Sequence, residues 1–327
     1  MIDLIRYNDS YEAVWDEFIN TNKRNATFLH SRKFFRHNPD NLEGDASLLF
    51  YKKNQLISVL PARLYRRGKK NIFHSHPAST YGGFVLGEMA GVEEAMGIVE
   101  ATINFAKNEG VSEILVRNPF RIFHQMPSDE TDYAMWYYGF VIRSRELECA
   151  ILIDEYTTSR YEDSTKRSVK KAQKNLQVGH SDKFNEFWPV LATNLFQKHK
   201  LTPVHSLEDI LRLRSLVGTE KIELVVAEYE NKVIAGIVLF VFDTAVHAQY
   251  IASDNSFQEL RPLNAVIDFI VQWCRQSGYK YFNFGTANED AGKTINKGLF
   301  KFKEGFGGRG VLRETMVLSL EANPLNS

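Results

Sequence analysis

Hydrophobic and polar positions follow helical and strand periods in an order that occurs twice along the chain. The first helical pattern, at residues 10–21, places Tyr11, Val14, Trp15 and Phe18 on one face. A strand hairpin, a long helix and a strand follow it, and the second half repeats this order after two helices. The predicted elements are 10–21, 47–51, 55–64, 91–108 and 113–117 in the first half, and 182–200, 206–216, 223–229, 232–242, 245–252, 262–276 and 281–284 in the second. Helices interspersed with strands in this way predict an α/β (α+β) protein with mixed sheets.

A chain of 327 residues exceeds one ordinary hydrophobic core, so we expect two domains, residues 1–155 and 156–327. A basic helix at 164–175 is predicted near the boundary, with Ser164 able to cap its start and Asn175 to close it. Its basic residues recur every three or four positions, which places most of them along one side. They are Lys166, Arg167, Lys170, Lys171 and Lys174. This side is either a solvated basic face or a face that contacts an anion.

Composition narrows the functional classes. Forty acidic and forty basic residues give no net charge, which argues against duplex DNA as the main partner. The N-terminus lacks the order of a signal peptide, and the longest apolar run, residues 233–242, is too short to span a bilayer. We therefore expect a cytoplasmic protein. Cys149 and Cys274 both lie in apolar patterns, which predicts buried thiols. His74 and His76 have no acid or cysteine cluster beside them, so no metal site is expected.

The most informative stretch is residues 279–308, which predicts a short strand, a polar loop and then Gly-Leu-Phe-Lys-Phe-Lys-Glu-Gly-Phe-Gly-Gly. Lysines that alternate with phenylalanines are typical of a site that packs a flat or acyl-bearing ligand and neutralises a phosphate or carboxylate. We expect a core segment to have no structural need for them, or for the three glycines that close the run. Lys303 can hold a donor phosphate or stabilise the oxyanion of a tetrahedral intermediate. The alternative is that Phe302 and Phe306 form the core face of a helix and Lys303 extends to solvent.

This stretch resembles the signature ending of FemABX-type aminoacyl transferases and of their BioF-like (CelD-type) acetyltransferase relatives in the GNAT superfamily. Those sequences follow roughly Leu-Tyr-x-Phe-Lys-x-x-Phe-Gly, so Phe302, Lys303, Phe306 and Gly307 match position by position. Residues 81–83 resemble the family's Tyr-Gly-Gly turn. Residues 27–35 loosely resemble its aromatic-x-x-Ser-x-x-Trp entry, with phenylalanine at position 34. The basic helix resembles its R-x-x-x-R-K-A-x-K motif, but lysines 166 and 170 replace both arginines, so bidentate phosphate contacts from them are in doubt.

The resemblance implies two tandem GNAT-like units. In the second, a strand opens the sheet to the acyl donor, and the next helix holds pyrophosphate at its N-terminus. The chain has no glycine at 256–265, where typical GNAT proteins carry a glycine-rich turn, which weakens the case for acetyl-CoA. Its Arg261, Pro262 and Asn264 resemble the FemABX-like and BioF-like start. The implied donor-binding residues are Ile251, Ala252, Ser253, Arg261, Asn264, Phe302, Phe306 and Gly307.

The implied activity is transfer of an acetyl or other acyl group from acyl-CoA to an amine of a small-molecule or nucleotide-linked cell-envelope or polysaccharide precursor. Lys303 and Asp254 are the candidate catalytic residues, with Glu289 and Asp290 as other candidate bases. The candidate acceptor-binding residues are Arg32, Lys33, Tyr81, Gly82, Gly83, Lys170 and Lys171. For Arg32, Lys33 and Arg36, the alternative is a basic surface helix.

Two other functions remain open. The first is a FemX-like transferase that takes its group from aminoacyl-tRNA and acts on a peptidoglycan precursor. A lipid-linked acceptor would then bring the protein into peripheral contact with a membrane. The second is a degenerate, non-catalytic GNAT pair that binds an envelope precursor.

Overall fold

A computed structural model describes residues 2–321, apart from the side chain of His199. The described chain divides into two compact units. The first extends to Glu146 and resumes at Leu312, and the second is Leu147–Val311. The last strand within the described residues thus returns to the first unit. The expected domains 1–155 and 156–327 differ from these units at both ends, and the domain boundary stays a prediction.

The described part of the first unit contains strands of two sheets and four α-helices. Its sheet orders are β1-β2-β3-β6 and β4-β5-β7-β16, and all pairs are antiparallel except β5 with β7. The ranges of these strands and of the helices between them are β1 (Asp3–Arg6), α1 (Glu12–Thr21), α2 (Arg32–Phe35), β2 (Leu48–Lys52), β3 (Gln55–Leu60), β4 (Arg63–Arg67), β5 (Lys70–Ser75), β6 (Val85–Leu86), α3 (Val92–Asn108), β7 (Glu113–Arg117), α4 (Glu130–Tyr137), the start of β8 (Val141–Leu152) and most of β16 (Arg309–Ser319). Helix α3 packs its apolar face into the hydrophobic core of this unit through Ala95, Ile98 and Val99.

The predicted strand 55–64 is two strands in the structure. β3 ends at Leu60 and β4 begins at Arg63, and the two belong to different sheets. Pro61 stands between them, and a proline cannot donate a ladder hydrogen bond. The long helix and the strand after it, predicted at 91–108 and 113–117, match α3 and β7 to within one residue.

The second unit is built on the strand order β8-β13-β12-β11-β10-β9, with β14 and β15 as a small separate pair. Pairing is antiparallel except between β12 and β13. Its remaining elements are α5 (Asp163–Gln173), β9 (Gln177–His180), α6 (Phe184–His199), α7 (Leu207–Val217), β10 (Ile222–Tyr229), β11 (Lys232–Val241), β12 (Ala245–Ser253), α8 (Pro262–Gln276), β13 (Tyr281–Thr286), β14 (Asn288–Glu289), β15 (Thr294–Ile295) and α9 (Lys297–Glu304). Where an element was predicted, its bounds lie within about two residues of the prediction, whereas β9, β14, β15 and α9 have no predicted counterpart.

Each unit contains one parallel strand pair joined by a long helix. In the first unit the order is β5, α3, β7, and in the second it is β12, α8, β13. This β-α-β crossover within a mostly antiparallel sheet confirms the predicted class, an α/β fold of two GNAT-like units with mixed sheets.

The basic helix exists as α5 and begins one residue earlier than predicted. Its N-cap is Glu162 and not Ser164, and its C-cap is Lys174. Thr165, Val169 and Ala172 form its buried face, while the five basic side chains are exposed. In the described structure, the basic side of α5 therefore faces solvent, which is the first of its two predicted alternatives.

Both cysteines are buried free thiols, as predicted, and burial raises the pKa of Cys149 to about 11. A thiol with that pKa is a poor nucleophile at neutral pH. Among residues 2–321, no helix combines the length and apolar character needed to cross a bilayer.

Candidate functional site

The parallel strands β12 and β13 form the centre of the candidate site in the second unit. They pair at only three positions, from Ala245 with Tyr281 to His247 with Asn283. β12 then continues to Ser253, paired on its other side with β11, while β13 ends at Thr286. The two strands therefore separate after His247, and the edge of β12 that faces β13 carries no strand partner beyond that point.

Lys303 of α9 reaches the end of β13. Its Nζ donates hydrogen bonds of 2.8 Å to the carbonyl oxygens of both Gly285 and Thr286. Only 2% of the residue is exposed, and burial lowers its pKa to about 8. The alternative prediction, that Lys303 extends into solvent, is therefore wrong. The lysine places a positive charge at the point where the parallel strands separate.

A buried polar group adjoins this lysine. Asn283 of β13 donates through Nδ2 to Glu148 Oε2 at 2.8 Å and accepts at Oδ1 from the amide of Gly285 at 2.9 Å. The Glu148 carboxylate favours the charged form of Lys303. Sequence reasoning missed Glu148, Asn283 and the neighbouring His247. The available signal was a polar residue at the centre of an apolar strand, as in Leu-Glu-Cys-Ala and Phe-Asn-Phe.

The glycines after α9 have a packing function, contrary to the expectation that the core has no need for them. A methyl group at Gly308 would lie 2.5 Å from Cys149 Sγ, and one at Gly305 would lie 2.7 Å from Thr165 Oγ1. Gly307 has φ = +80°, which also favours glycine. These positions let the turn after α9 lie directly against α5 and β8.

Of the two predicted donor-site phenylalanines, Phe306 is fully buried. Its ring contacts those of Tyr161, Phe284 and Phe302 at centroid distances of 5.2, 6.1 and 5.4 Å. Phe302 is only half-buried. Phe306 thus belongs to the core that supports the lysine, and Phe302 retains surface that a ligand can contact.

The other predicted donor-binding residues lie along the connection from β12 to α8. Ile251, Ala252 and Ser253 are on the separated part of β12, paired with β11. Arg261 is exposed, adopts a left-handed conformation at φ = 58° and precedes Pro262, the first residue of α8. Asn264 lies in the first turn, where its backbone N–H donates to the carbonyl of Arg261. The structure therefore places these residues between the separated strand and a helix N-terminus, whose free amides favour anions.

Asp254 lies far from Lys303 along β12. Six residues of extended chain, about 20 Å, separate it from Ala248, the residue beside Gly285. Its carboxylate accepts from the Ser256 amide at 2.9 Å and lies 3.4 Å from Lys232 Nζ. The Ser256 amide is the main cause that lowers the pKa of Asp254. The structure does not bring together the two predicted catalytic residues.

Among the predicted acceptor residues of the first unit, Arg32 is buried. Its guanidinium pairs with Asp45, donates to Ser47 Oγ at 3.1 Å and lies 3.8 Å from the ring centroid of Tyr7. These contacts hold the side chain inside the unit. Its neighbour Lys33 is exposed, as are Lys170 and Lys171 in the second unit.

The Tyr81-Gly82-Gly83 turn is also tightly packed. The Tyr81 hydroxyl donates to Thr27 Oγ1 at 2.9 Å, and the Gly82 amide donates to the carbonyl of Arg117 at 2.9 Å. A methyl group at Gly82 would lie 2.5 Å from the carbonyl carbon of Ser75, and Gly83 has φ = +81°. In this unit, the glycines allow the chain to approach its own backbone.

His74 and His76 are buried in the first unit, and burial lowers the pKa of His74 to about 4 and that of His76 to about 3. Within residues 2–321, no group of three or more histidine, cysteine, aspartate or glutamate side chains is placed to hold a metal ion.

Comparison with known proteins agrees with this geometry. Residues 159–293 match the family model described as the acetyltransferase (GNAT) domain. The match covers less than half of the chain, and it agrees with the prediction of a GNAT-type acyltransferase. The matched segment contains β12, α8 and β13, the elements that surround the separated strands.

Solved structures show that the fold extends over the whole chain. The structure of FemX is 13% identical in sequence and has a TM-score of 0.70. The match covers 97% of this chain and 97% of the FemX chain. L-PGS from Bacillus licheniformis is 14% identical with a TM-score of 0.61, and covers 98% of this chain and 95% of its own. The C-terminal domain of a putative lysylphosphatidylglycerol synthetase from Agrobacterium fabrum is 12% identical, covers 95% and 92%, and has a TM-score of 0.60. None of the curated proteins matches the chain.

Proposed function

We propose that this protein transfers an acyl group from acyl-CoA to an amine of a cell-envelope or polysaccharide precursor, in the cytoplasm. The separation of β12 from β13, with Lys303 at the point of separation, supports this most directly. In this arrangement, the open edge of β12 presents backbone groups to the amides of the donor's pantetheine arm. The N-terminus of α8 lies beyond that edge and holds the donor phosphates.

Lys303 acts on the reacting end of the donor in this proposal. An ammonium group has three donors, and two of them are directed to the carbonyls of Gly285 and Thr286. The third stabilises the oxygen of the thioester carbonyl as it becomes an oxyanion. Because both carbonyls belong to β13, the ammonium group of Lys303 is held in position before a substrate binds.

The bond changes are those of aminolysis. The acceptor nitrogen attacks the thioester carbonyl, a carbon–nitrogen bond forms, and the carbon–sulfur bond breaks with release of coenzyme A thiol. The proton lost by the amine passes to a carboxylate or through water to the leaving thiolate. We favour Glu148 over Asp254 as that carboxylate, because Glu148 lies in the polar group beside Lys303. Asp254 is committed to the Ser256 amide, and its lowered pKa makes it a weaker base.

A FemX-like aminoacyl transfer from tRNA to a peptidoglycan precursor is the second candidate. The full-length likeness to FemX favours it, since that likeness extends beyond the matched GNAT domain. The glycine-free connection before α8 also differs from a typical coenzyme A pyrophosphate loop. The exposed lysines of α5 would then contact the RNA backbone or the acceptor.

Ligand binding separates these candidates. Thermal unfolding is measured with acetyl-CoA, longer acyl-CoAs, free coenzyme A and aminoacyl-tRNA, because a ligand at 100 times its Kd stabilises by about 2.7 kcal/mol. We expect a shift with the coenzyme A thioesters, and release of free thiol once amino-sugar or peptide amines are added. A shift with aminoacyl-tRNA alone would replace the first candidate by the second. Binding without thiol release from any amine would indicate a non-catalytic module.

A further inference from the structure

The first unit carries an exposed aromatic patch that plays no part in the site described above. We define the aromatic patch as Tyr133, Trp136, Tyr137, Val141 and Ile142, which are 51, 65, 60, 62 and 45% exposed. The three aromatic residues lie at helical spacing on α4, and the ring of Tyr133 is 5.8 Å from that of Trp136 and 6.5 Å from that of Tyr137. Val141 and Ile142 follow shortly after α4 at the start of β8, where consecutive side chains point to opposite faces of the strand, and both are exposed.

The opposite face of α4 already serves the core. Thr131, Ala134 and Met135 are buried, and the latter two belong to the hydrophobic core of the unit. The helix is therefore apolar on both faces, although a surface helix usually turns a polar face to water. Large aromatic and aliphatic side chains that cluster at the surface mark an interaction site more often than a chance exposure.

Cations border the aromatic patch. The β4–β5 hairpin carries Arg66, Arg67, Lys69 and Lys70 around Gly68, and Arg143 directly follows Ile142. Three of these five converge on one carboxylate. Glu113 lies 2.5 Å from Lys70, 2.9 Å from Arg143 and 3.8 Å from Arg67. Glu113 thus joins the hairpin to the strand that carries Val141 and Ile142. We call these five cations the basic border. Glu113 neutralises one of their five positive charges, which leaves a net charge of four.

The acidic residues at the start of α4 do not cancel this excess. Asp129 and Asp132 lie 2.7 and 3.2 Å from Arg121, and Glu130 pairs with Arg24. Of the more distant carboxylates, Glu109 lies 3.7 Å from Arg6, and Glu321 acts on Lys70 electrostatically. Glu100 of α3 acts electrostatically on Tyr138, the residue after α4. The surface therefore presents an apolar centre with a positive border on the side of the hairpin and Arg143.

We infer that this surface docks the protein onto an anionic lipid bilayer. Tryptophan and tyrosine favour the boundary between headgroups and acyl chains, because their rings are apolar and their tips polar. Lysine and arginine beside them attract anionic headgroups. Val141 and Ile142 favour lipid over RNA, since aliphatic side chains gain nothing from a phosphate backbone. A symmetric dimer through this patch would bring two basic hairpins together, which like charges oppose. The contact is made by the protein itself and does not depend on the proposed reaction.

Vesicle co-sedimentation tests this inference. The full chain is mixed with vesicles of equimolar phosphatidylcholine and phosphatidylglycerol, and separately with vesicles of phosphatidylcholine alone. We expect binding to the anionic vesicles that weakens as salt is added. Because each basic side chain contributes about fivefold to such binding, the double variant Arg66→Glu/Lys69→Glu should bind at least tenfold more weakly. Trp136→Ala/Tyr137→Ala should also bind about tenfold more weakly, but with an unchanged salt dependence.

Matched controls come from the second unit. Lys198→Glu/Arg212→Glu changes the same number of exposed cations, and Phe196→Ala removes an aromatic ring that is 59% exposed. Both should bind vesicles as the parent does. Absence of binding to anionic vesicles would overturn the inference, as would equal losses in the control variants. Sedimentation equilibrium and an RNA-binding assay on the same variants would then assign the patch to a second copy or to RNA.

Discussion

The two units share the β-α-β crossover but complete it differently. In the first unit, β5 and β7 pair from Ile72–Glu113 to Ser75–Val116, and the chain then folds back so that the Gly82 amide donates to the carbonyl of Arg117. In the second unit, β12 and β13 pair at three positions, and the last carbonyls of β13 accept from the side chain of Lys303. The end of β7 is therefore covered by backbone, and the end of β13 is occupied by the buried cation of Lys303.

This difference favours the second unit as the one that carries the proposed ligand site. A turn that fills the space beyond β7 leaves packed backbone there. A lysine at the end of β13 leaves one N–H donor and a positive charge beside an open strand edge. The two strand ends share the same β-α-β topology, so the difference between them comes from a few residues and not from the fold.

The largest expected effect is on turnover. Lys303→Ala should lower kcat by about a hundred- to a thousandfold, which corresponds to about 3–4 kcal/mol of lost electrostatic stabilisation. Lys301→Ala, an exposed lysine of the same helix, is the matched control and should retain activity. Lys303→Met keeps most of the side-chain volume, so circular dichroism and turnover of both variants separate catalysis from folding. Equal activity in Lys303→Met and the parent protein would exclude a role for the charge.

The packed turn of the first unit should respond through stability. Gly82→Ala places a methyl group 2.5 Å from backbone atoms of Ser75 and His76, so we expect a loss of about 3 kcal/mol or more in the free energy of unfolding. Gly179→Ala lies on an edge strand with no heavy atom within 4 Å of the added methyl, and should be neutral or slightly stabilising. Urea titration measures both. A mild Gly82→Ala would mean that this strand end is adaptable after all.

Acid should destabilise the first unit through buried neutral histidine. Burial lowers the pKa of His76 from 6.5 to about 3, so between those values the unfolded chain binds a proton that the folded chain does not. Stability therefore falls as pH falls from about 6.5 to 4, by about 2–3 kcal/mol for this residue. His76→Gln should reduce that slope in urea titrations at neutral pH and at about pH 4.5. His180→Gln in the second unit, a residue paired with Glu223, provides the comparison.

Alkali should act on the second unit in the opposite sense. The pKa of Lys303 is lowered from 10.5 to about 8, so above pH 8 the folded chain loses a proton that the unfolded chain still holds. The free energy of unfolding should therefore rise with pH in that range, by up to about 1.4 kcal/mol per pH unit. Activity should fall over the same range, because the neutral amine holds an oxyanion poorly. Lys303→Met should remove this contribution to stability. If stability of the parent protein fell above pH 8, or its activity rose, the charge assigned to Lys303 would be wrong.

Much of the secondary structure follows from local pattern. The helix at 262–276 and the strand at 113–117 match their predicted bounds, since strong periodicity and a proline or glycine mark their ends. The β4–β5 hairpin escaped prediction because Arg-Arg-Gly-Lys-Lys has little apolar content. The final strand β16 escaped because its partner, β7, lies about 200 residues earlier in the chain.

For the candidate site, the sequence determined the residue types that matter, above all a lysine among phenylalanines near the C-terminus. Whether that lysine extends to solvent or turns inward depends on the carbonyls of Gly285 and Thr286, which lie 18 and 17 residues earlier in the chain. Likewise, the sequence predicts that Arg32 is available to a ligand, whereas in the structure Asp45 and Tyr7 enclose it. Local sequence specifies periodicity and chemical type. Only the tertiary structure brings distant backbone and charge together, because burial and hydrogen bonding depend on neighbours in space.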